Sequence, residues 1–92
     1  MIRSFRHRGL RRLYEHDDRS KVRPDLADKI VLMLGRLDAA VTVKDMDVHG
    51  FGLHRLTGDL KGFWSVTVSR NWRIVFRFEE GDAYGVDFLE YH

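Results

Sequence analysis

Phe63-Trp64-Ser65-Val66-Thr67-Val68, followed by Ser69-Arg70-Asn71 and then Trp72-Arg73-Ile74-Val75-Phe76-Arg77-Phe78-Glu79, is the stretch that decides the fold. Both runs are rich in β-branched and aromatic residues, and a short polar break separates them, so they read as an antiparallel hairpin. Trp64, Val66 and Val68 share one face of the first strand, and Ile74, Phe76 and Phe78 share one face of the second. The opposite faces present Ser65, Thr67, Arg73 and Arg77, a polar surface open to a ligand. Outward from this hairpin, Glu80-Gly81-Asp82 turns into a strand from Ala83 to about Tyr91. Upstream, Thr57-Gly58-Asp59 follows a short strand at Leu53 to Leu56. The second half is therefore an antiparallel meander. From Ala39 to Gly52 no period is visible, and Gly50 and Gly52 mark a flexible approach to the sheet.

The first half reads as helical. Ile2-Arg3-Ser4-Phe5 alternates and predicts a short first strand. A helix then runs from about Gly9 to His16, with Leu10, Leu13 and Tyr14 on one face. Pro24 at a first-turn position opens a second helix, expected to reach Leu37, whose Leu26, Ile30, Met33, Leu34 and Leu37 follow a 3.6-residue period. Val31 and Leu32 fall off that stripe. Either the sheet and first helix cover them or the helix shows apolar surface that a partner grips.

At 92 residues the chain is expected to form one domain, residues 1–92, in which every element shares a core. The 33% charged fraction and the absence of any long apolar run argue against a membrane protein. The basic N-terminal residues lack the apolar centre of a signal peptide, so a cytoplasmic location is expected. Without cysteine there is no disulfide, thiol nucleophile or thiolate metal site. Net charge is +2, but residues 1–23 hold eight Lys/Arg against three Asp/Glu, a local balance of +5. That segment suits a polyanion such as RNA, with a solvated helix face as the alternative.

Several residues are suited to acid/base chemistry on a phosphate ester. His54 lies at the start of its strand, where a histidine serves proton transfer near neutrality; a lone histidine is also commonly structural or simply exposed. Arg73 lies on the open face, and its fork of donors fits phosphate oxygens; the competing reading is a cross-strand salt bridge with Asp87 or Glu90. Tyr91-His92 is unusual, since residues at the end of a chain fray unless they are docked. His49, His54 and His92 have no compact ligand spacing, so neither a metal site nor a cofactor is expected.

Taken in order, Met1-Ile2-Arg3-Ser4-Phe5 with His7 and Gly9-Leu10, Leu53-His54, Leu56, Gly58-Asp59, Gly62-Phe63-Trp64-Ser65-Val66-Thr67-Val68, Asn71-Trp72-Arg73-Ile74, Gly81-Asp82-Ala83-Tyr84 and Tyr91-His92 span the chain. The set resembles the HigB branch of the RelE-like toxins, ribosome-dependent messenger-RNA endonucleases of bacterial toxin–antitoxin pairs. The resemblance implies an α+β, RelE-like fold with two N-terminal helices packed on one face of a curved, mostly antiparallel sheet. It also implies that the other face receives the message in the ribosomal A site. Residue by residue, it places His54, Arg73, Tyr91 and His92 at positions used in cleavage. The family commonly has a lysine where this chain has Thr57, and Lys61, Arg55 or Arg70 is left to supply that charge.

Metal-free RNA cleavage needs a deprotonated 2′-hydroxyl, a stabilised phosphorane and a protonated 5′-oxygen. On this reading Arg73 holds the scissile phosphate, His54 or His92 acts as acid or base, and Tyr91 orients the RNA. Arg6, Arg8, Arg11 and Arg12 contact ribosomal RNA. The implied partners are the ribosome, its message and a HigA-like helix-turn-helix antitoxin, through which operator DNA is contacted only indirectly. No membrane is involved. The alternative is a RelE-fold binding module, weakened at Thr57, that binds antitoxin or ribosome without efficient cleavage.

Overall fold

The computed structural model describes residues 1–91. In chain order it contains α1 (Arg8–His16), α2 (Ala27–Ala39), a 3₁₀ turn at Val43–Met46, β1 (His54–Arg55), a 3₁₀ turn at Gly58–Leu60, β2 (Trp64–Thr67), β3 (Trp72–Glu79) and β4 (Asp82–Glu90). The four strands form one antiparallel sheet in the order β1-β2-β3-β4. The helices pack with this sheet, giving the expected α+β arrangement. No described helix is long and apolar enough to cross a membrane.

Local chemistry explains the helix ends. His7 caps α1, its Nδ1 accepting from the Leu10 N–H at 3.0 Å, and Asp17 closes the helix in the left-handed region at φ 53°. The second helix begins at Ala27 rather than Pro24 and runs to Ala39. Residues 24–26 instead form a turn in which the Leu26 N–H bonds the Arg23 carbonyl, and the first helical bond runs from the Ile30 N–H to Leu26. Its buried stripe is Ala27, Ile30, Met33, Leu34 and Leu37. Val31 and Leu32 are not covered by sheet or helix, standing 37% and 54% exposed.

Ile2–Phe5 is not a regular strand. The segment runs parallel to β4 and touches it at two isolated bridges, Ile2 with Ala83 and Phe5 with Val86. The interruption has a cause on β4: the β3 register shifts between Val75 and Arg77, opposite Gly85 at φ 62°. At that bulge Ser4 Oγ replaces a backbone acceptor and takes the Gly85 N–H at 2.8 Å. The bulge also changes the face of β4. In an unbroken strand Tyr84 would share a face with Val86 and Phe88, which are buried in the main core. The extra residue instead pairs Tyr84 with Arg77 on the opposite face.

Trp64, Val66, Val68, Ile74, Phe76 and Phe78 pack with the helices, as their alternation requires. The opposite face is less polar than expected. Ser65 is buried, and Val75 lies beneath Leu56 and Phe63 with Leu60 and Leu89 packed alongside, forming a second apolar cluster. Val75 falls on this face by strand alternation, and the segment 56–63 folds back to shield it from water.

The carboxylate of Asp38 joins three elements. It accepts from the Ile2 N–H at 2.9 Å and from the Tyr14 hydroxyl at 2.6 Å. Burial pushes the Asp38 carboxyl up, but the hydrogen bonds from Tyr14 and Ile2, with the N-terminal charge, outweigh it and hold the group below the usual carboxylate value. The same bond pushes Tyr14 up to about 12. Because the folded carboxyl is the stronger acid, its stabilisation is present above the unfolded value and disappears as pH falls through the folded one. Asp38→Asn should cost on the order of 1–3 kcal/mol at neutral pH in denaturant titrations and flatten the stability loss on the acid side. Gly85→Ala should destabilise by about 1–2 kcal/mol because a side chain disfavours positive φ. Gly35→Ala, inside α2 with open space at its Cβ, should raise stability by roughly 0.5–1 kcal/mol.

Candidate RNA-cleavage site

The hairpin register builds the site. Thr67 on β2 stands opposite Arg73 on β3, and Arg73 stands opposite Leu89 on β4, all on the face away from the helices. Just beyond β4, the Tyr91 N–H donates to the Asn71 carbonyl at 2.8 Å, which ties this residue to the β2–β3 turn. The ring then lies over the sheet. Its hydroxyl is hydrogen-bonded to Thr67 Oγ1 at 2.9 Å, and the Arg73 guanidinium carbon stands 5.0 Å from the ring centre. Gly52, at φ 59°, keeps the space beside Thr67 clear, since a Cβ there would come within 3.3 Å of Thr67 Oγ1.

Arg73 Nε is buried and has no hydrogen-bond partner among the described residues. The cross-strand salt bridge does not form. Asp87 pairs with Val75, and Glu90 pairs with Trp72 on the helix side of the sheet. A buried donor without a partner costs about 1–3 kcal/mol, so the fold retains a guanidinium whose donor capacity is unspent. Guanidinium donors of this kind pair most strongly with anionic oxygens.

His54 is exposed on β1 opposite Ser65, on the same face as Arg73 but one pleat repeat along and two strands across. Standard strand spacings put their Cα atoms roughly 12 Å apart, a gap that a bound phosphodiester segment can bridge but that direct contact cannot. His92 lies outside the described residues.

The cations sort into different places. Arg55 pairs with Trp64 and lies 5.4 Å over its ring, so it projects to the face opposite His54. Thr57 and Lys61 flank the 3₁₀ turn at Gly58–Leu60 and, with Arg55, Leu56 and Gly62, line a cavity of about 480 Å³. Lys61 is thus the ammonium brought to the cavity that Thr57 lines. Arg70 is exposed in the β2–β3 turn, beside the Asn71 that holds Tyr91.

Arg8, Arg11 and Arg12 line one cavity of about 380 Å³ on α1 with Glu15 and His16. Two of these cations are matched: Arg11 pairs with Glu15 at 3.2 Å and Arg12 with Asp18 at 2.9 Å. Hydrogen bonds from Ser20, and then from Arg12, hold the Asp18 carboxyl well below the usual carboxylate range. Arg6 does not join them. Its guanidinium carbon folds over the sheet to 4.8 Å from the Phe63 ring centre.

Thr67 and Asn71 are the site residues that sequence reasoning did not single out. Thr67 was visible on the polar face, but only the register and the docking of Tyr91 show that it positions the ring.

Residues 3–92 match the HigB-like toxin family, described as the RelE-like toxin of the type II toxin–antitoxin system HigB. The chain is 41% identical over 92 residues to Endoribonuclease HigB of Proteus vulgaris, covering 100% of both chains. It is 31% identical over 85 residues to Toxin HigB-1 of Vibrio cholerae serotype O1, covering 90% of each. With the whole sheet and both helices inside the family match, the chain belongs to the HigB-like family of RelE-like toxins from type II toxin–antitoxin systems.

Proposed function

We propose that this toxin is an endoribonuclease that cleaves messenger RNA in the ribosomal A site by acid/base catalysis without a metal ion. The observation that carries this reading is the buried Nε of Arg73, which has no partner among the described residues, beside the ring that Thr67 holds. Its supports are the naming of a full-length relative as an endoribonuclease and the family's place in type II systems.

In the proposed reaction, a base removes the 2′-hydroxyl proton and the 2′-oxygen attacks the adjacent phosphorus. The 5′-oxygen leaves with a proton from the acid, giving a 2′,3′-cyclic phosphate and a 5′-hydroxyl. Arg73 stabilises the extra negative charge on the phosphorane through Nε and its terminal nitrogens. Tyr91, held from both ends, stacks against a base or bonds the phosphate, and His54 and His92 divide the acid and base roles. The toxin acts in the cytoplasm and is neutralised by a HigA-like helix-turn-helix antitoxin, which carries any operator contact.

The binding-module reading rests on Thr57, which has neither charge nor a readily transferable proton. Lys61 on the same cavity favours the enzyme, because it supplies a cation there.

Mapping cleavage of a message with and without ribosomes tests the proposal directly: cuts appear only on the translated message, and an uncut message in both arms overturns it. Arg73→Met should lower cleavage on the order of 10²- to 10³-fold with no fall in thermal midpoint, since it removes an orphan donor along with the phosphate clamp. Thr57→Lys should change cleavage little. A gain of about 10²-fold or more would be that of a restored catalytic group and would favour the binding module. Deleting His92 should relieve growth arrest while the protein stays folded.

A further inference from the structure

The open face of the sheet carries a second arginine–tyrosine pair. Arg77 lies two residues beyond Val75 on β3 and therefore on the same face as Arg73. Tyr84 is its register partner, with the guanidinium carbon 5.9 Å from the ring centre. The pairing of Arg73 with Tyr91 at 5.0 Å is thus repeated four residues along the strand, about 13 Å away. Only the bulge at Gly85 turns Tyr84 to this face.

Arg6 arrives at the same place from the N-terminal segment. Arg6 and Arg77 both stand within 6.0 Å of the Phe63 ring centre, so two guanidiniums gather around one aromatic ring. Like charges gathered this way repel, and the ring offsets only part of that cost. Among the described residues Arg6 has no ion pair. Arg77 has one contact, with Glu79 at 3.4 Å, between side chains that are 44% and 59% exposed and so weakly coupled. A phosphodiester lying between the two arginines would relieve the repulsion, with the face of Tyr84 beside it for a base. Val75, in the apolar cluster that includes Phe63, lies between Arg73 and Arg77 on this face, so a cationic, aromatic pair stands to either side of it along β3.

We propose that Arg6, Arg77 and Tyr84, gathered around Phe63, form a second RNA subsite that holds the message a few nucleotides from the cleaved bond. This rests on the assignment of the open face to the message, and it sets the direction of the strand across the sheet, from Arg73 along β3 to Arg77. Arg6 then serves the message rather than ribosomal RNA.

The test titrates the full chain with a single-stranded 2′-O-methyl RNA oligonucleotide, which cannot be cleaved, at several salt concentrations. Arg6→Gln and Arg77→Gln should each weaken binding about four- to sixfold near physiological salt and reduce the slope of log K against log salt by about 0.7, one phosphate contact apiece. Arg77→Lys should keep the slope, and Tyr84→Leu should lower affinity with the slope unchanged. In cleavage assays on ribosomes the glutamine variants should raise KM by more than they lower kcat. Wild-type slope and affinity in both glutamine variants would overturn the subsite, as would a loss confined to sedimentation with vacant ribosomes. Arg73→Met separates the two readings. Full cleavage by Arg73→Met beside a lost phosphate contact in Arg77→Gln removes the catalytic assignment and keeps the subsite, whereas a wild-type protein that binds no RNA removes both.

Discussion

The pairing of Thr67 with Arg73 across the β2–β3 hairpin is the constraint on which the rest of the molecule depends. Around the turn, the Val68 and Ser69 N–H groups both donate to the Trp72 carbonyl, and the Trp72 N–H returns a bond to Ser69. Strand side chains alternate, so a slip of one residue would send Val66, Val68, Ile74 and Phe76 to the open face and draw Arg73 into the core. Each of these apolar side chains contributes roughly 1.5–3 kcal/mol on burial. Together they outweigh the orphan Nε of Arg73, at about 1–3 kcal/mol, by a wide margin. The core therefore holds Arg73 in a position that the arginine alone would not favour.

The same sheet serves two purposes because its two faces are buried to different degrees. The helix side is a continuous core. The other side has a small apolar cluster around Val75, flanked by Arg73 with Tyr91 and by Arg77 with Tyr84. This arrangement packs apolar side chains between the two arginine–tyrosine pairs, and on the proposed function it leaves the surface open to a strand of RNA. The bulge at Gly85 completes it by placing one tyrosine out of phase with the buried residues of β4.

Charge is distributed in the same spirit. Several carboxylates are engaged in holding the N-terminal half in place: Asp38 ties the Ile2 segment to Tyr14, Asp82 of β4 meets the N-terminus and Arg3, and Asp18 meets Arg12 and Ser20. The Asp87 carboxylate on the open face accepts from the Phe88 N–H at 2.9 Å. The arginines of that face stand over aromatic rings, Arg73 over Tyr91 and Arg77 near Tyr84, and the one acid contact among them, Arg77 with Glu79, is solvent-exposed and weak.

Much of this was legible in the chain. Alternation in Phe63–Glu79 and the stripe from Ile30 to Leu37 follow from hydrophobic periodicity, a local property, and they determined the meander, the helix, the core face and the presence of Arg73 on the other side. The reduction of Ile2–Phe5 to two bridges was not readable because it depends on bonds made across the fold, whereas the start of α2 at Ala27 and the 3₁₀ turn at Val43–Met46 rest on local turn and capping bonds that hydrophobic periodicity does not report. The site divides in the same way. Sequence alternation put Arg73 on the open face of its strand, and the family resemblance joined His54 and Tyr91 to it. Only the tertiary structure decided that Tyr91 is pinned between Asn71 and Thr67, that Arg73 Nε is buried without an acceptor among the described residues, that Arg55 points away from His54, and that Arg6 and Tyr84 reach the open face. Those outcomes are set by register, by a single bulge and by long-range docking, and none of the three leaves a periodic trace in the amino-acid order.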